Sequence, residues 1–272
     1  MIIEALFLAQ DREVRANTTF VLIDVFRTSA TLTTMLRRGA RNVIVAAQPE
    51  EARAHRDRLG SCILCGEAGG RRLPDFDYGN SPADYELLHL EAQQVVFTSS
   101  NGAKAMARLV GDGQRVFVGS YPNATAVVRS ALADAENRSA DIAIVASGRN
   151  FGTRYGIEDC HCAGFLTDLL TRQITGRSGW GDIAHAGDIH HLNQKWILED
   201  SALIALQLYR SLGLDFDRLI QRSGDAQNLR SLGLDVDFPA CVEVDSASMV
   251  PEVTRSPEGY LVVNPASVVG QG

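Results

Sequence analysis

The sequence predicts an α/β protein: a three-layer α/β/α arrangement around a mostly parallel, mixed sheet. Short, nearly continuous apolar runs recur along the first half, as expected of strands covered on both faces. Helix-like segments separate them, the pattern of parallel strands joined by crossover helices. The composition, 45% hydrophobic and 22% charged over 272 residues, supplies enough apolar material for a large core.

The first run, Phe20-Val21-Leu22-Ile23-Asp24-Val25-Phe26, is followed by Asn42–Ala47, Cys62–Cys65, Gln94–Thr98, Arg115–Gly119 and Asp141–Ser147. Helices are expected between them at Thr31–Arg38, Pro49–Leu59, Pro82–Glu91, Gly102–Val110 and Asn123–Ala135. Pro49 and Pro82 sit where a first helical turn tolerates proline, and Gly39 where a helix usually stops. Farther on, Glu158–Arg172 and Leu198–Leu212 read as long helices, and Asp215–Gln221 and Ala226–Leu232 as shorter ones. The connector Ile174–Lys195, rich in Gly, His and Asp, reads as a loop or mobile flap. Pro239–Val244 and Tyr260–Val263 suggest late strands added antiparallel at the sheet edge. Residues 1–150 thus form the sheet region with most site loops. Residues 151–272 form a helical region with edge strands that completes the same globular unit.

A formal charge of −7 and a pI near 5.4 argue against a nucleic-acid or anionic-membrane surface, which needs a basic face. The longest apolar runs fall far below the roughly 18–20 residues that cross a bilayer. Met1–Gln10 carries Glu4 and lacks a basic start followed by a long apolar stretch, so it is not read as a secretory signal. Five cysteines are expected to be reduced thiols in a cytoplasmic protein.

In a parallel sheet the site lies beyond the carboxyl ends of the strands. That rule selects Asp24–Thr31, Gly66–Gly70, Thr98–Gly102, Gly119–Asn123 and Ser147–Asn150. In the first, Asp24 ends a buried strand, and Arg27 with Thr28, Ser29 and Thr31 leads into a helix. A helix N-terminus favours an anion, and Arg27 offers a bidentate fork. The plainer alternative is a helix cap with a structural Asp–Arg pair. Gly66-Glu67-Ala68-Gly69-Gly70 permits close backbone approach and places Glu67 as a second acid; a tight turn with a solvated Glu explains it equally. Asn80-Ser81-Pro82 reads as a helix start capped by Ser81, with both residues also able to face a ligand. Ser100-Asn101-Gly102 is a second anion-binding turn or a simple N-cap. Glu158-Asp159 opens a helix, which the macrodipole alone favours; the two acids also suit metal binding or acid–base work. Cys62, Cys65, Cys160, Cys162 and His161 could assemble a zinc site, although Cys62 and Cys65, three apart on a strand, point to opposite faces. Core thiols are the preferred reading. His185, His190 and His191 read as surface imidazoles.

Taken in order, Ile23-Asp24-Val25-Phe26-Arg27, Gly66-Glu67-Ala68-Gly69-Gly70, Phe76-Asp77-Tyr78-Gly79-Asn80-Ser81-Pro82, Thr98-Ser99-Ser100-Asn101-Gly102 and Glu158-Asp159-Cys160-His161-Cys162-Ala163-Gly164 resemble the 2-phosphosulfolactate phosphatase family. A C-terminal stretch with Gly224, Leu229, Gly233, Asp237 and Val250-Pro251 extends the resemblance. The chain departs from the family pattern at Phe26, at Thr28-Ser29-Ala30-Thr31, at Ala103 and at Cys160-His161. The resemblance implies a Mg²⁺-dependent hydrolase removing phosphate from 2-phospho-3-sulfolactate, a step toward coenzyme M, or from a related small phospho-acid. For such a reaction Asp24 and Glu67, joined by Asp159, are expected around the metal, and Asp24, Arg27, Glu158 and Asp159 in catalysis, with Asp24 either a metal ligand or the group that attacks phosphorus. Thr28, Ser29, Asn80, Ser81, Ser100, Asn101 and Gly102 would hold the substrate. The expected partner is a small anionic phospho-acid, with no nucleic acid or membrane, and a homodimer is the assembly considered. The alternatives are a small-anion binder and a zinc-stabilised non-catalytic protein.

Overall fold

The computed structural model describes residues 1–11, 16–91, 93–176 and 191–266. Its strands are β1 (Ile2–Leu6), β2 (Thr18–Ile23), β3 (Val43–Ala46), β4 (Ile63–Ala68), β5 (Arg71–Arg72), β6 (Val95–Thr98), β7 (Arg115–Val118), β8 (Asp141–Ala146), β9 (Ile197–Leu198), β10 (Pro251–Arg255) and β11 (Leu261–Pro265). They form one sheet in the order β5-β4-β6-β3-β11-β10-β7-β2-β8-β1-β9. The described helices are α1 (Thr28–Arg37), α2 (Pro49–Leu59), α3 (Pro82–Glu86), α4 (Gly102–Leu109), α5 (Ala124–Arg138), α6 (Ile157–Thr175), α7 (Asp200–Leu212), α8 (Phe216–Arg222), α9 (Gly224–Ser231) and α10 (Phe238–Val242).

Side-chain alternation along the strands builds the layers. In β2, Val21 and Ile23 enter the core beneath α5, α6 and α7. Phe20 and Leu22 enter the opposite core, with Leu32, Met35 and Leu36 of α1 and Met106 and Leu109 of α4. That second core also takes Val43, Val45 and Phe97, so α1 and α4 cover both halves of the sheet on one face. On the other face of β3, β4 and β6, Ala52 of α2 packs with Ile44, Leu64 and Val96. The expected three layers are present.

Two parallel blocks make up the sheet: β4, β6 and β3, and β7, β2, β8, β1 and β9. Between them lies the antiparallel hairpin β10–β11, paired antiparallel to β7 and β3. Three successive antiparallel pairings give the blocks opposite polarity. A twist of roughly 20–25° per strand, accumulated over the five steps from β2 to β6, turns one block well around relative to the other. The loops after β2, β4, β6 and β8 consequently meet at one place.

Three expectations change. Tyr260–Val263 belongs to a strand, but β11 and its unforeseen partner β10 lie in the middle of the sheet rather than at its edge. Pro239–Val244 is not a strand: Pro239 occupies the first turn of α10, the position proline favours. The first strand is β1, which the sequence reading passed over because Glu4 interrupts its apolar run; Glu4 is buried. The connector Ile174–Lys195 falls largely on residues 177–190, outside the described residues, together with His185 and His190. His191 is described and bridges Ile197. No helix among the described residues is long and apolar enough to cross a membrane.

Candidate active site

A cavity of about 300 Å³ opens where the strand-end loops meet. Its wall includes Arg27, Glu67, Asn80, Ser100, Asn101, Arg149, Asp225 and Asn228. Three helices of eight or more residues, α1, α4 and α9, begin at this wall, through Arg27, Asn101 and Asp225. Their dipoles favour an anion there, although the amides of Thr28, Ser29, Ala103 and Ala226 already bond to Asp24, Ser99 and Ser223.

The loop after β2 is fixed from within. The Asp24 carboxylate accepts the Thr28 amide at 3.3 Å, capping the start of α1, and the Asp24 amide donates to Ser29 Oγ at 3.0 Å. Thr28 and Ser29 are buried and do not line the cavity. Their hydroxyls, expected on the ligand, serve the protein: Thr28 Oγ1 bonds Ser99 Oγ at 3.2 Å, which in turn accepts the Ala103 amide at 3.0 Å. Gly102 lies behind the wall as well. A Cβ there would stand 2.7 Å from Asp24 Oδ2 and 2.9 Å from Thr28 Cβ, so glycine is what lets α4 sit against the acid.

Arg27 reaches the cavity, held in place by two groups. One guanidinium nitrogen donates to Asp237 at 2.5 Å and the other to the Gly70 carbonyl at 2.9 Å. Ser81 caps α3 by accepting the Asp84 amide at 3.4 Å and donates its hydroxyl to Asp237 at 2.6 Å, away from this cavity. Glu67 accepts the Ser100 amide at 2.6 Å, the Ser100 hydroxyl at 3.0 Å and the Gly70 amide at 2.6 Å, and thereby ties the β4 and β6 loops together. Asn101 accepts the Gly152 amide at 3.3 Å, bringing in the loop after β8.

Glu158 and Asp159, in the first turn of α6, are fully buried behind the wall. Asp159 accepts the Val25 amide at 2.9 Å, the Gly148 amide at 3.2 Å and the Ser147 hydroxyl at 3.3 Å, so it clasps the β2 and β8 loops. Glu158 Oε2 is buried without a hydrogen-bond partner. Asp24, Glu67 and Asp159 do not converge as one ready-made cluster; among the described residues no group of three or more His, Cys, Asp or Glu side chains does. The same finding disposes of the zinc arrangement. Cys65, Cys160, Cys162 and Cys241 are buried free thiols and Cys62 is half-buried.

The acids repel one another in a dry setting. Burial raises Asp24 to about 6, against the Thr28 hydrogen bonds, with Asp225 and Glu67 adding repulsion. Burial and then Asp225 raise Glu158 to about 7. Asp159 is pushed well above the usual carboxylate range by burial, Glu158 and Asp24. Burial also raises Asp225, although Arg149 donates to it at 2.7 Å.

Asp225, Arg149, Asn228 and the role of Asp237 escaped the sequence reading. Arg149 lies in a loop that the strand-end rule selected, beside Ser147. Asp225 and Asp237 sit on or beside short helices of the second half, and nothing local marks a first-turn acid as part of a site.

A family model described as 2-phosphosulpholactate phosphatase matches residues 7–256. A protein of Deinococcus radiodurans named probable 2-phosphosulfolactate phosphatase is 31% identical over 231 residues, 85% of each chain. A protein of the same name from Carboxydothermus hydrogenoformans is 28% identical over 263 residues, 97% of each chain. A third, from Symbiobacterium thermophilum, is 30% identical over 247 residues, 89% of this chain and 93% of the other. With a match over nearly its whole length, this chain belongs to the 2-phosphosulpholactate phosphatase family.

Proposed function

We propose that the protein hydrolyses the phosphate monoester of 2-phospho-3-sulfolactate, or of a closely related small phospho-acid, with Mg²⁺, releasing 3-sulfolactate and phosphate. The observation that carries this reading is the pairing of two fixed guanidinium groups, Arg27 and Arg149, with buried acids around one cavity. The cavity is at the small end of the roughly 300–1,000 Å³ typical of ligand sites, which suits a compact substrate.

The residues fit a hard divalent cation. Glu67 and Asp225 line the cavity with Arg27 and Arg149, and Asp24, Glu158 and Asp159 lie buried behind its wall. A phosphate brought beside these acids needs a cation to offset part of its charge. Mg²⁺ takes one or two carboxylates and keeps several waters, so no cage of three acids is required. Asp24 would hold it. Glu67 and Asp159, already accepting three donors each, would hold the loops and orient waters. Bound there, Mg²⁺ supplies Lewis-acid polarisation of the phosphoryl group and neutralises its developing charge.

Arg27 and Arg149 would grip the phosphate oxygens, helped by Ser100, Asn101 and the helix N-termini. Water adds to phosphorus as the ester P–O bond breaks, and the departing alkoxide takes a proton. An acid poised near neutrality suits that transfer, and Glu158 at about 7 is such a group. Release of inorganic phosphate from 2-phospho-3-sulfolactate by the purified protein, with and without Mg²⁺, tests the reading. Asp24→Asn should lower turnover by about 100-fold or more in a protein that still folds. Near wild-type Mg²⁺-dependent activity in that variant would refute the central assignment.

A further inference from the structure

Gly224 opens α9 between the Ser223 cap and Asp225. Its backbone is helical and lies outside the left-handed region, so conformation does not call for glycine there. Alanine is the better helix former. What calls for glycine is the space beside it. A Cβ on Gly224 would fall inside the Arg149 guanidinium, almost equally near Cζ and both Nη atoms and far within contact distance of all three. The face of the guanidinium therefore rests on the bare start of α9.

The next residue completes the seat. Asp225 Oδ1 accepts Arg149 Nε at 2.7 Å, a bond that leaves both Nη groups for an anion in the cavity that Arg149 and Asp225 line. The far end of α9 abuts the support of the other guanidinium. A Cβ on Gly70 would stand 2.9 Å from Leu232 Cδ1 and 3.5 Å from Asn228 Nδ2, and the Gly70 carbonyl accepts Arg27 Nη2 at 2.9 Å. One helix thus touches the settings of both arginines at the cavity.

We propose that Gly224 is a positioning residue for the reaction: the space left by its missing side chain seats Arg149 against Asp225 and aims its fork into the cavity. The inference rests on the phosphatase reading above, in which Arg149 grips phosphate, and concerns a residue that acts through Arg149 alone. A methyl at this position would lift the guanidinium off α9 and break its bond to Asp225. Asp225 would then meet the incoming phosphate as an unpaired carboxylate. The displaced group is the free end of a long side chain, 32% exposed, so the fold tolerates the change and the loss falls on binding. A grip on the phosphate that is held before and during its transfer acts on KM and leaves kcat nearly unchanged.

The test measures kcat and KM for 2-phospho-3-sulfolactate, and urea unfolding, in wild type, Gly224→Ala, Arg149→Ala and the double variant. Gly224→Ala should unfold close to the wild-type midpoint while KM rises about tenfold or more, as expected for a lost charge-assisted hydrogen bond. In the Arg149→Ala background the added methyl has no guanidinium to displace, and KM should change by less than about twofold. A smaller rise in Gly224→Ala, a similar rise in both backgrounds, or failure of Gly224→Ala to fold overturns the seat and leaves the phosphatase reading standing. If wild type hydrolyses neither this compound nor 2-phospholactate, the phosphatase reading falls, and the Arg149 Nε–H resonance decides the seat. That resonance, identified in ¹⁵N spectra by its loss in Arg149→Ala, should shift and exchange faster with solvent in Gly224→Ala. An unchanged resonance overturns the seat.

Discussion

Arg27 and Asp237, 210 positions apart in the chain, meet at 2.5 Å with 3% and 0% of their side chains exposed. The second oxygen of Asp237 takes the Ser81 hydroxyl at 2.6 Å. One carboxylate from the C-terminal part of the chain therefore fixes a guanidinium from the β2–α1 loop and the cap of α3. A fork held in this way has little freedom left to lose when an anion binds.

Asp237→Ala would leave the Arg27 charge buried beside an unpaired Ser81. Removing one partner of a buried pair costs about 3–5 kcal/mol, so urea unfolding should show a loss in that range. Asp237→Asn keeps the shape and one acceptor, and should lose less stability while raising KM. If Asp237→Ala unfolds within about 0.5 kcal/mol of wild type, the usual scatter of surface changes, the pair does not hold the site together.

The buried acids set a pH dependence with a definite sign. Asp24 at about 6 and Glu158 at about 7 lie above their usual values of about 3.9 and 4.3. A raised carboxyl contributes stability while protonated. That contribution is complete below the usual carboxylate range and disappears as pH rises through 6 and 7. With chelator present, these groups should lower the thermal midpoint between about pH 5 and about pH 8. A cation favours the ionised forms, so added Mg²⁺ should raise the midpoint most above pH 7. Equal Mg²⁺ effects at both ends of the range would count against binding by these acids.

Gly102→Ala tests the close approach of α4 to Asp24. Alanine favours a helix by up to about 1 kcal/mol over glycine, but crowding buried Asp24 and Thr28 costs about 1–3 kcal/mol, so stability should fall modestly in a protein that still folds. The new Cβ, however, falls 2.7 Å from Asp24 Oδ2 and displaces the acid or the helix start. A displacement near 1 Å can cost about 100-fold in rate, and kcat should fall by roughly that order. Unimpaired kcat in a folded Gly102→Ala protein would show that the Asp24 position is not critical.

The strand-end rule led to Glu67, Ser100 and Asn101 at the cavity wall and to Asp24 behind it, because each follows or ends a strand whose apolar run is plain in the sequence. The same residue types also serve as caps, and pattern cannot separate the two uses. Thr28 and Ser29 turned inward, whereas Asn80 reached the wall. Asp225 and Asp237 were not legible as site residues, since their place depends on how the C-terminal helices return across the loops. The central position of β10 and β11 was hidden for a related reason: a strand's pairing partners are set by the whole sheet, and its own five residues do not encode them.

His161 lies outside the proposed chemistry and gives an independent check on the fold. It is wholly buried, with Nδ1 2.6 Å from the Tyr121 hydroxyl and Nε2 3.0 Å from the Gly213 carbonyl. A carbonyl only accepts, so Nε2 carries the proton and Nδ1 accepts from Tyr121. Burial lowers the imidazole to about 4, against the pull of the Gly213 carbonyl. The fold favours the neutral ring, so its contribution is present above the usual 6.5 and is lost as pH falls toward 4. His161→Phe keeps an aromatic ring but leaves the Tyr121 hydroxyl and the Gly213 carbonyl unpaired, at about 1–3 kcal/mol each. Urea unfolding near pH 7.5 should therefore show a loss of about 2–4 kcal/mol. Near pH 4.5 the difference should shrink, because wild type there bears the cost of a buried imidazole that tends to protonate. A gap between the two proteins that is the same at both pH values would show that His161 is not held neutral by this pair of hydrogen bonds.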